Sequence, residues 1–516
     1  MTNPWLLTGE PRARPMQRLT DPVLVAAGVA AVLAFAPFGW FPLVVVALAL
    51  LFLHWLRDTP GQAFRHGLLF GLGYFGFGVS WVYVSVHTYG NVAWPIAGSI
   101  AVLFTLVLAL FPALCGYALR RVFPGGQRQL LWLVFPAGWL LFEWLRGWIF
   151  SGFPWLDLGA SQIDSPLSGY LPVIGEYGVS WLVALSAGLV SAAWLGRARV
   201  LPLLIALSFW AGGAWLDRSD WVRPLGDPLS VSLVQGNVAQ EQKWLPENLQ
   251  HTLTHYAELT FAGERSDVYV WPETAIPAFY DQVDEHYIPS LQQWLAAQGS
   301  TLLSGIPVLD REHWEYFNAV IEIAELPVFY YKQHLVAFGE YVPLRKLFGI
   351  IVDKLVPMNG DFSRGSAQQP LLHAAGYPVG SSICFEVVFG GLISAALPQA
   401  AMLVNVSNDG WFGDSLAPHQ HLEIARVRAK ENGRPMLRAT NTGISAIIDH
   451  RGAVSARSAQ FETSVVRGHV VPMQGSTPFV RFGNWPVLVI AVLSLLLALL
   501  VLPAAPRTAT RAQRKQ

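Results

Sequence analysis

The chain has 516 residues, 53% of them hydrophobic and only 13% charged, with 21 tryptophans and a formal net charge of zero. With a mean hydropathy of +0.39, it is too apolar for a soluble protein of this length and belongs in a bilayer. The neutral balance argues against nucleic acid as a partner.

Long apolar runs lie at 22–38, 40–56, 64–87, 92–119, 129–148, 176–196, 199–215 and 485–503. Most approach the ~20 residues that a helix needs to cross the hydrocarbon core, so about eight spans are expected. Residues 1–219 then form an N-terminal membrane domain with about seven of those spans, and 476–516 a final span with a basic tail. The intervening 220–475 reads differently. Short β-rich strings such as "LSVSLVQGN" and "SDVYVWPE" alternate with polar helical stretches such as "PENLQHTLTHYAEL" and "PHQHLEIARVRAKENG". This is the pattern of a soluble α/β domain large enough to bury its own core.

Arginine placement predicts orientation. Arg12, Arg14 and Arg18 precede the first run; Arg57 and Arg65 separate the second and third; Arg120, Arg121 and Arg128 separate the fourth and fifth; Arg197 and Arg199 separate the sixth and seventh. Arg507, Arg511, Arg514 and Lys515 end the chain. With eight spans these segments share one face, which the positive-inside rule makes cytoplasmic, as it does both termini. The α/β domain is then extracytoplasmic, in the periplasm of a Gram-negative cell. The first apolar run leads into a second without a small-residue cleavage site, which argues against a cleaved signal peptide.

The α/β region holds one thiol, Cys384, in "GYPVGSSICFEVVF"; the only other cysteine, Cys115, lies inside the fourth run. A disulfide would have to bring the two within ~7 Å across two environments, so none is expected. A lone cysteine is often just a small buried hydrophobe, and two further stretches argue against that here. "SDVYVWPETAIP" places Glu273 just past a strand end, and "VFYYKQHLVAFGEYVP" places Lys332 after an aromatic strand with Glu340 eight residues on. A thiolate nucleophile needs a base to take its proton, and a developing oxyanion needs a nearby positive charge. Singly, Glu273 reads as a helix-terminal carboxylate and Lys332 as a surface charge; together with Cys384 the three are far more specific.

These strings resemble the nitrilase, or carbon-nitrogen hydrolase, superfamily. With membrane runs on both sides, the whole chain resembles the apolipoprotein N-acyltransferase family, through "SGFPWLDLGASQIDSPL" (151–167), "LVQGNVAQEQKW" (233–244), "FNAV" (317–320), "FGEYVPLR" (338–345), "FSRG" (362–365), "CFEVVF" (384–389) and "NVSNDGWFG" (405–413). The resemblance implies an αββα sandwich beside a multi-pass membrane domain in a bacterial inner membrane. It also implies a two-step acyl transfer. Cys384 takes an acyl chain from a phospholipid, typically the sn-1 chain of phosphatidylethanolamine, as a thioester. The α-amino group of the diacylglyceryl-cysteine at the N-terminus of an apolipoprotein then accepts that chain as an amide.

By the same analogy Glu273 is the general base and Lys332 stabilises the oxyanion, while Glu340 and Glu386 tune or brace the site. Trp244, Asn318 and Trp411 are pocket residues. Phe385 stands where some members carry tyrosine, which removes a hydroxyl beside the nucleophile. Phe153 and Trp155 are expected near the outer interface, at a lipid entrance or as simple belt anchors. Residues 344–358 alternate basic and apolar residues, like an arm on headgroups or an ordinary amphipathic helix.

His419, His421 and Glu423 share a predicted helix, but no second ligand cluster follows, so surface placement is expected rather than a metal site. No phosphate-cradling or dinucleotide motif is present, and neither metal nor other cofactor is expected. Two rival readings are a membrane-anchored amidase that releases its acyl group to water, and a transporter or receptor. Transport would favour ionisable residues within the spans, yet Glu143 and Arg146 stand almost alone there, at a spacing that lets them pair.

Overall fold

The computed structural model describes residues 14–196, 199–343, 345 and 361–502. The segment before residue 14, the basic tail and, save Arg345, the 344–358 arm lie outside the described residues.

The apolar runs fold as helices: Arg14–Val32, Pro42–Trp55, Pro60–Gly78 with Trp81–Tyr89, Trp94–Val122, Leu130–Arg146, Leu171–Leu195, Val200–Leu216 and Trp485–Val501. Pro60–Gly78 begins on a complete capping box, in which Thr59 and Gln62 satisfy each other's end of the first turn. It breaks at residues 79–80, where the following Trp81–Tyr89 segment bends away by 51°. Gly73 lets this helix touch the first one, since a Cβ there would strike the Val25 carbonyl.

By length and composition two helical stretches, Trp94–Val122 and Pro166–Leu195, are long and apolar enough to cross a membrane, and a third if the bent pair is one span. The others are shorter. At 1.5 Å per residue, the 14 residues of Pro42–Trp55 extend only ~21 Å, less than the ~30 Å hydrocarbon core. Arg120 is buried, its guanidinium spent on the carbonyls of Asp58, Phe123, Pro124 and Gly125. Arg146 does not rely on Glu143, which lies 3.9 Å away; its close partner is Asp157 at 2.5 Å.

The remaining chain forms β1 (Arg223–Pro224), β2 (Leu229–Gln235), β3 (Val268–Val270), β4 (Thr301–Asp310), β5 (Glu315–Ile323), β6 (Val328–Tyr331) and β7 (Leu372–Ala374). After these come β8 (Tyr377–Ile383), β9 (Met402–Ser407), β10 (Met436–Thr440), β11 (Ala446–Ile448), β12 (Val454–Arg457), β13 (Ser464–Val470) and β14 (Met473–Gln474). Two six-stranded sheets result, in the orders β13-β2-β3-β4-β5-β6 and β12-β11-β10-β9-β8-β7, and the β1–β14 pair ties the start of this region to its end.

The sheets meet through alternate residues, which is why the strands are β-branched with period two. Val231, Leu233, Val268, Val270 and Val320 of one sheet pack on Ile383, Met402, Val404, Val406 and Leu437 of the other. Helices Leu249–Phe261 and Tyr287–Gln298 cover the first sheet's outer face. Helix Ala417–Asn432 covers the second's and is itself covered by the membrane part.

That docking overturns the surface placement expected for His421 and Glu423. Both are buried: His421 lies against the Cys384 carbonyl, and a Glu423 carboxylate oxygen accepts the Ala36 N–H at 3.0 Å. On the same helix the buried Arg428 pairs with Glu176 of the membrane part and with Glu431. The helix is polar because it lies between two partners that supply its hydrogen bonds.

Candidate active site

Cys384, Glu273 and Lys332 come from two sheets and meet because each follows the C-terminal end of a strand. Cys384 directly follows β8, Lys332 directly follows β6, and Glu273 lies three residues past β3. Lys332 is 1% exposed and Glu273 8%, while the Cys384 thiol is half-buried.

Lys332 Nζ donates to Glu340 Oε1 at 2.6 Å and lies 3.8 Å from Glu273 Oε1. Burial alone would strip its proton; Glu340 and then Glu273 more than offset that, so the ammonium is held far above the usual lysine range. Glu273 is fixed from both sides, Oε1 accepting from Asn318 Nδ2 at 2.7 Å and Oε2 from the Asn408 N–H at 3.0 Å. Asn318 also binds the Lys332 N–H through its own carbonyl at 2.8 Å. Asn318 therefore orients both Glu273 and Lys332; the sequence suggested a pocket residue.

Burial pushes the Cys384 thiol well up from its ordinary range, Glu273 and Asp409 push in the same direction, and Lys332 opposes them. A thiol so placed is protonated at rest and needs a base to become a nucleophile.

Glu386 does not face the thiol. Its carboxylate collects the N–H groups of Gln333 (2.6 Å), His334 (2.9 Å) and Ile383 (2.8 Å) and the Tyr330 hydroxyl (3.0 Å). It thus clamps the residues flanking Lys332 to the strand that carries Cys384. Burial holds it up at about 7, against Lys332 and the three N–H donors. Glu340 accepts the Val336 N–H at 2.8 Å as well as the lysine.

Lys243 was not singled out from the sequence. It is buried with its ammonium on the Glu273 carbonyl at 2.9 Å, and burial, partly offset by the Glu273 charge, brings it down to about 8. The adjacent Trp244 is half-exposed at 50%. Trp411 is 43% exposed, with its carbonyl held by the Ser85 hydroxyl at 2.8 Å.

Trp155 departs from the interface expectation. It is 0% exposed, its indole donates to Gln420 at 2.7 Å, and its ring stacks on Phe385 at 6.1 Å and 12°. Phe153 completes a three-ring cluster, 6.1 Å from Phe385 and 6.2 Å from Trp155. Phe385 thus joins the nucleophile's loop to the membrane part by ring contact, which a phenylalanine does without a hydroxyl.

Two sheets with a Cys, a Lys and a Glu at their strand ends define a carbon-nitrogen hydrolase, and the family model of that description matches residues 230–474. A second, described as the apolipoprotein N-acyltransferase N-terminal domain, matches residues 27–189. The apolipoprotein N-acyltransferase of Methylococcus capsulatus is 46% identical over 89% of this chain and 92% of its own. That of Nitrosomonas europaea is 45% identical over 92% and 95%, and that of Pseudomonas syringae 40% over 91% and 94%. The chain belongs to the apolipoprotein N-acyltransferase family.

Proposed function

We propose that the chain transfers a fatty acyl group from a membrane phospholipid, through a thioester on Cys384, to the α-amino group of an apolipoprotein's N-terminal diacylglyceryl-cysteine. The observation that carries this reading is Lys332 held between Glu340 and Glu273, next to a thiol that needs a base, in a domain docked by buried contacts onto apolar helices.

In the first half-reaction Glu273 takes the thiol proton as sulfur adds to the ester carbonyl, and the Lys332 ammonium faces the oxyanion. Collapse expels the lysophospholipid alkoxide, which receives the proton from Glu273. In the second half the amine adds to the thioester, Glu273 accepts its proton, and the Cys384 thiolate leaves and recovers a proton. Trp244 and Trp411, exposed beside this machinery, are proposed to meet the lipid substrates. Phosphatidylethanolamine is the donor in this reading. Intact mass spectrometry of protein purified from membranes should show a mass increase of one fatty acid less water, located on Cys384. A chain that stays unacylated with excess phosphatidylethanolamine sinks the thioester.

The same reading puts residues 1–219 and 476–516 in a bacterial inner membrane as about eight spans, with both termini cytoplasmic, and 220–475 in the periplasm; the arginine-bearing connections support it. In a Cys384→Ser background, a membrane-impermeant maleimide should label Glu312→Cys in intact spheroplasts and leave Gln129→Cys unlabelled until the membrane is opened. Both positions are exposed, Glu312 in the β4–β5 turn and Gln129 between helices. The reverse pattern would invert the orientation.

A further inference from the structure

Besides Glu273 and Lys332, Cys384 meets a second buried polar cluster, at its main-chain carbonyl. The residue stands at φ 52, in the left-handed region, an unfavourable place for a residue with a Cβ unless its surroundings hold it there. Two side chains hold its carbonyl oxygen: Asn405 Nδ2 at 3.3 Å and His421 Nε2 at 3.2 Å. The His421 side chain is 0% exposed.

The hydrogen-bond pattern assigns the imidazole's proton. His421 Nδ1 lies 2.9 Å from Arg438 Nη2 and 3.0 Å from Asp409 Oδ1. The Cys384 carbonyl only accepts, so Nε2 carries a proton and donates it there, while Nδ1 stands between a guanidinium that donates and a carboxylate that accepts. Arg438 is itself fixed: Nη2 donates to Asp409 Oδ2 at 2.8 Å and Nη1 to the Asn405 side-chain oxygen. Asp409 also accepts the Ser407 hydroxyl at 2.7 Å. One guanidinium therefore orients both groups on the nucleophile's carbonyl. Strand register brings them together, because Ser382, Asn405 and Arg438 are direct neighbours across β8, β9 and β10.

The cluster has the composition of a Cys-His-Asp triad, but its imidazole faces a main-chain oxygen instead of the thiol. We propose that His421 is a positioning residue: its ring, held by Arg438 and Asp409, fixes the Cys384 carbonyl and with it the strained main chain that aims the thiol, and it takes no proton during acyl transfer. The charged groups facing His421 are Asp409, past β9, and Arg438, on β10. From the other elements it meets Cys384 and the rings of Trp155 (5.5 Å) and Phe412 (5.9 Å). Burial, and then Arg438, bring the imidazole down from its ordinary range against the pull of Asp409, which favours the neutral ring.

This role rests on the acyl transfer proposed above, and the test separates the two. His421→Gln keeps a donor and an acceptor; His421→Leu keeps bulk and neither. We would measure single-turnover thioester formation from phosphatidylethanolamine between about pH 6.5 and 9, a range spanning the ordinary imidazole pKa. Alkylation of Cys384 by iodoacetamide, which needs no acyl transfer, and thermal melting would accompany it. His421→Leu should slow thioester formation by about 30-fold or more and change the alkylation rate by about tenfold, with the KM for phospholipid within about twofold of wild type. His421→Gln should stay within about threefold of wild type in both assays and keep the wild-type pH dependence.

Wild-type rates in His421→Leu, or a His421→Gln as slow as His421→Leu, overturn the proposal. So does an ionisation lost from the pH profile of His421→Gln, which would make the imidazole a proton carrier. If His421→Leu does not fold, the rate and pH profile of His421→Gln decide alone. A wild type that forms no thioester overturns the acyl-transfer reading, while the alkylation ratios still test the positioning role.

Discussion

Cys384→Ala is expected to lose acyl transfer entirely, with no acyl adduct on the chain and no acylated apolipoprotein product, while the protein inserts and melts as wild type does. Alanine keeps the Cβ and the backbone angles open to it at φ 52 and gives up only the sulfur of a half-buried residue, so little packing is lost. Cys384→Ser should fall by about a thousandfold or more, because a hydroxyl in the same place is far less acidic and a weaker nucleophile than a thiol. The check is acyl transfer to a diacylglyceryl peptide together with intact mass. Turnover near wild type in Cys384→Ala would remove the thioester from the mechanism.

The second large effect divides base from oxyanion stabiliser. Glu273→Gln and Lys332→Met should each stop thioester formation near pH 7, and raising the pH should partly restore only the first. The amide keeps the hydrogen bond to Asn318 yet accepts no proton at neutral pH. Losing the Lys332 charge costs about 3 kcal/mol of oxyanion stabilisation, roughly 10²-fold in rate.

The electrostatics sharpen the contrast. Glu273 holds the thiol up, so its removal brings the thiol down, whereas Lys332 opposes that rise, so its removal sends the thiol higher still. Burial, the largest cause, persists in both variants. The rate in Glu273→Gln should therefore climb steadily toward pH 10 without a plateau, and that in Lys332→Met should stay flat. Single-turnover rates across about pH 7 to 10 read this directly, since a thiol raised above its ordinary ~8.5 gains thiolate throughout that range. Equal recovery of both variants, or recovery of Lys332→Met alone, would show that the roles are reversed or shared.

Much of the site was legible because local signals and chemistry coincide. A thiol after "GSSI", a carboxylate after "VYVWP" and a lysine after "VFYY" each stand where an apolar strand ends, and strand ends are where an α/β fold exposes its side chains. The sequence offered Asn318 as a pocket residue. Only the pairing of β5 with its neighbours shows that its amide meets Glu273 and its carbonyl meets the Lys332 N–H. Trp155 was misplaced for a similar reason. An aromatic beside a span usually marks the interface, and nothing local reveals that a polar helix from 260 residues further on will cover it.

By itself the sequence pointed to a membrane protein with an inserted α/β domain, and to Cys384, Glu273 and Lys332 as residues that meet. Those features depend on composition, run length and period, all carried by neighbouring residues. Only the tertiary structure decided what surrounds the nucleophile. The helix "PHQHLEIARVRAKENG" reads as a solvated surface, and becomes buried because Glu176, Ala36, Asp409 and the Cys384 carbonyl satisfy its polar groups from four distant segments. Arg438, a charge inside the apolar strand "MLRAT", was the one local sign that such partners must exist, since a buried guanidinium needs them. Which partners they are follows from strand register and domain docking, and these depend on burying two whole surfaces at once.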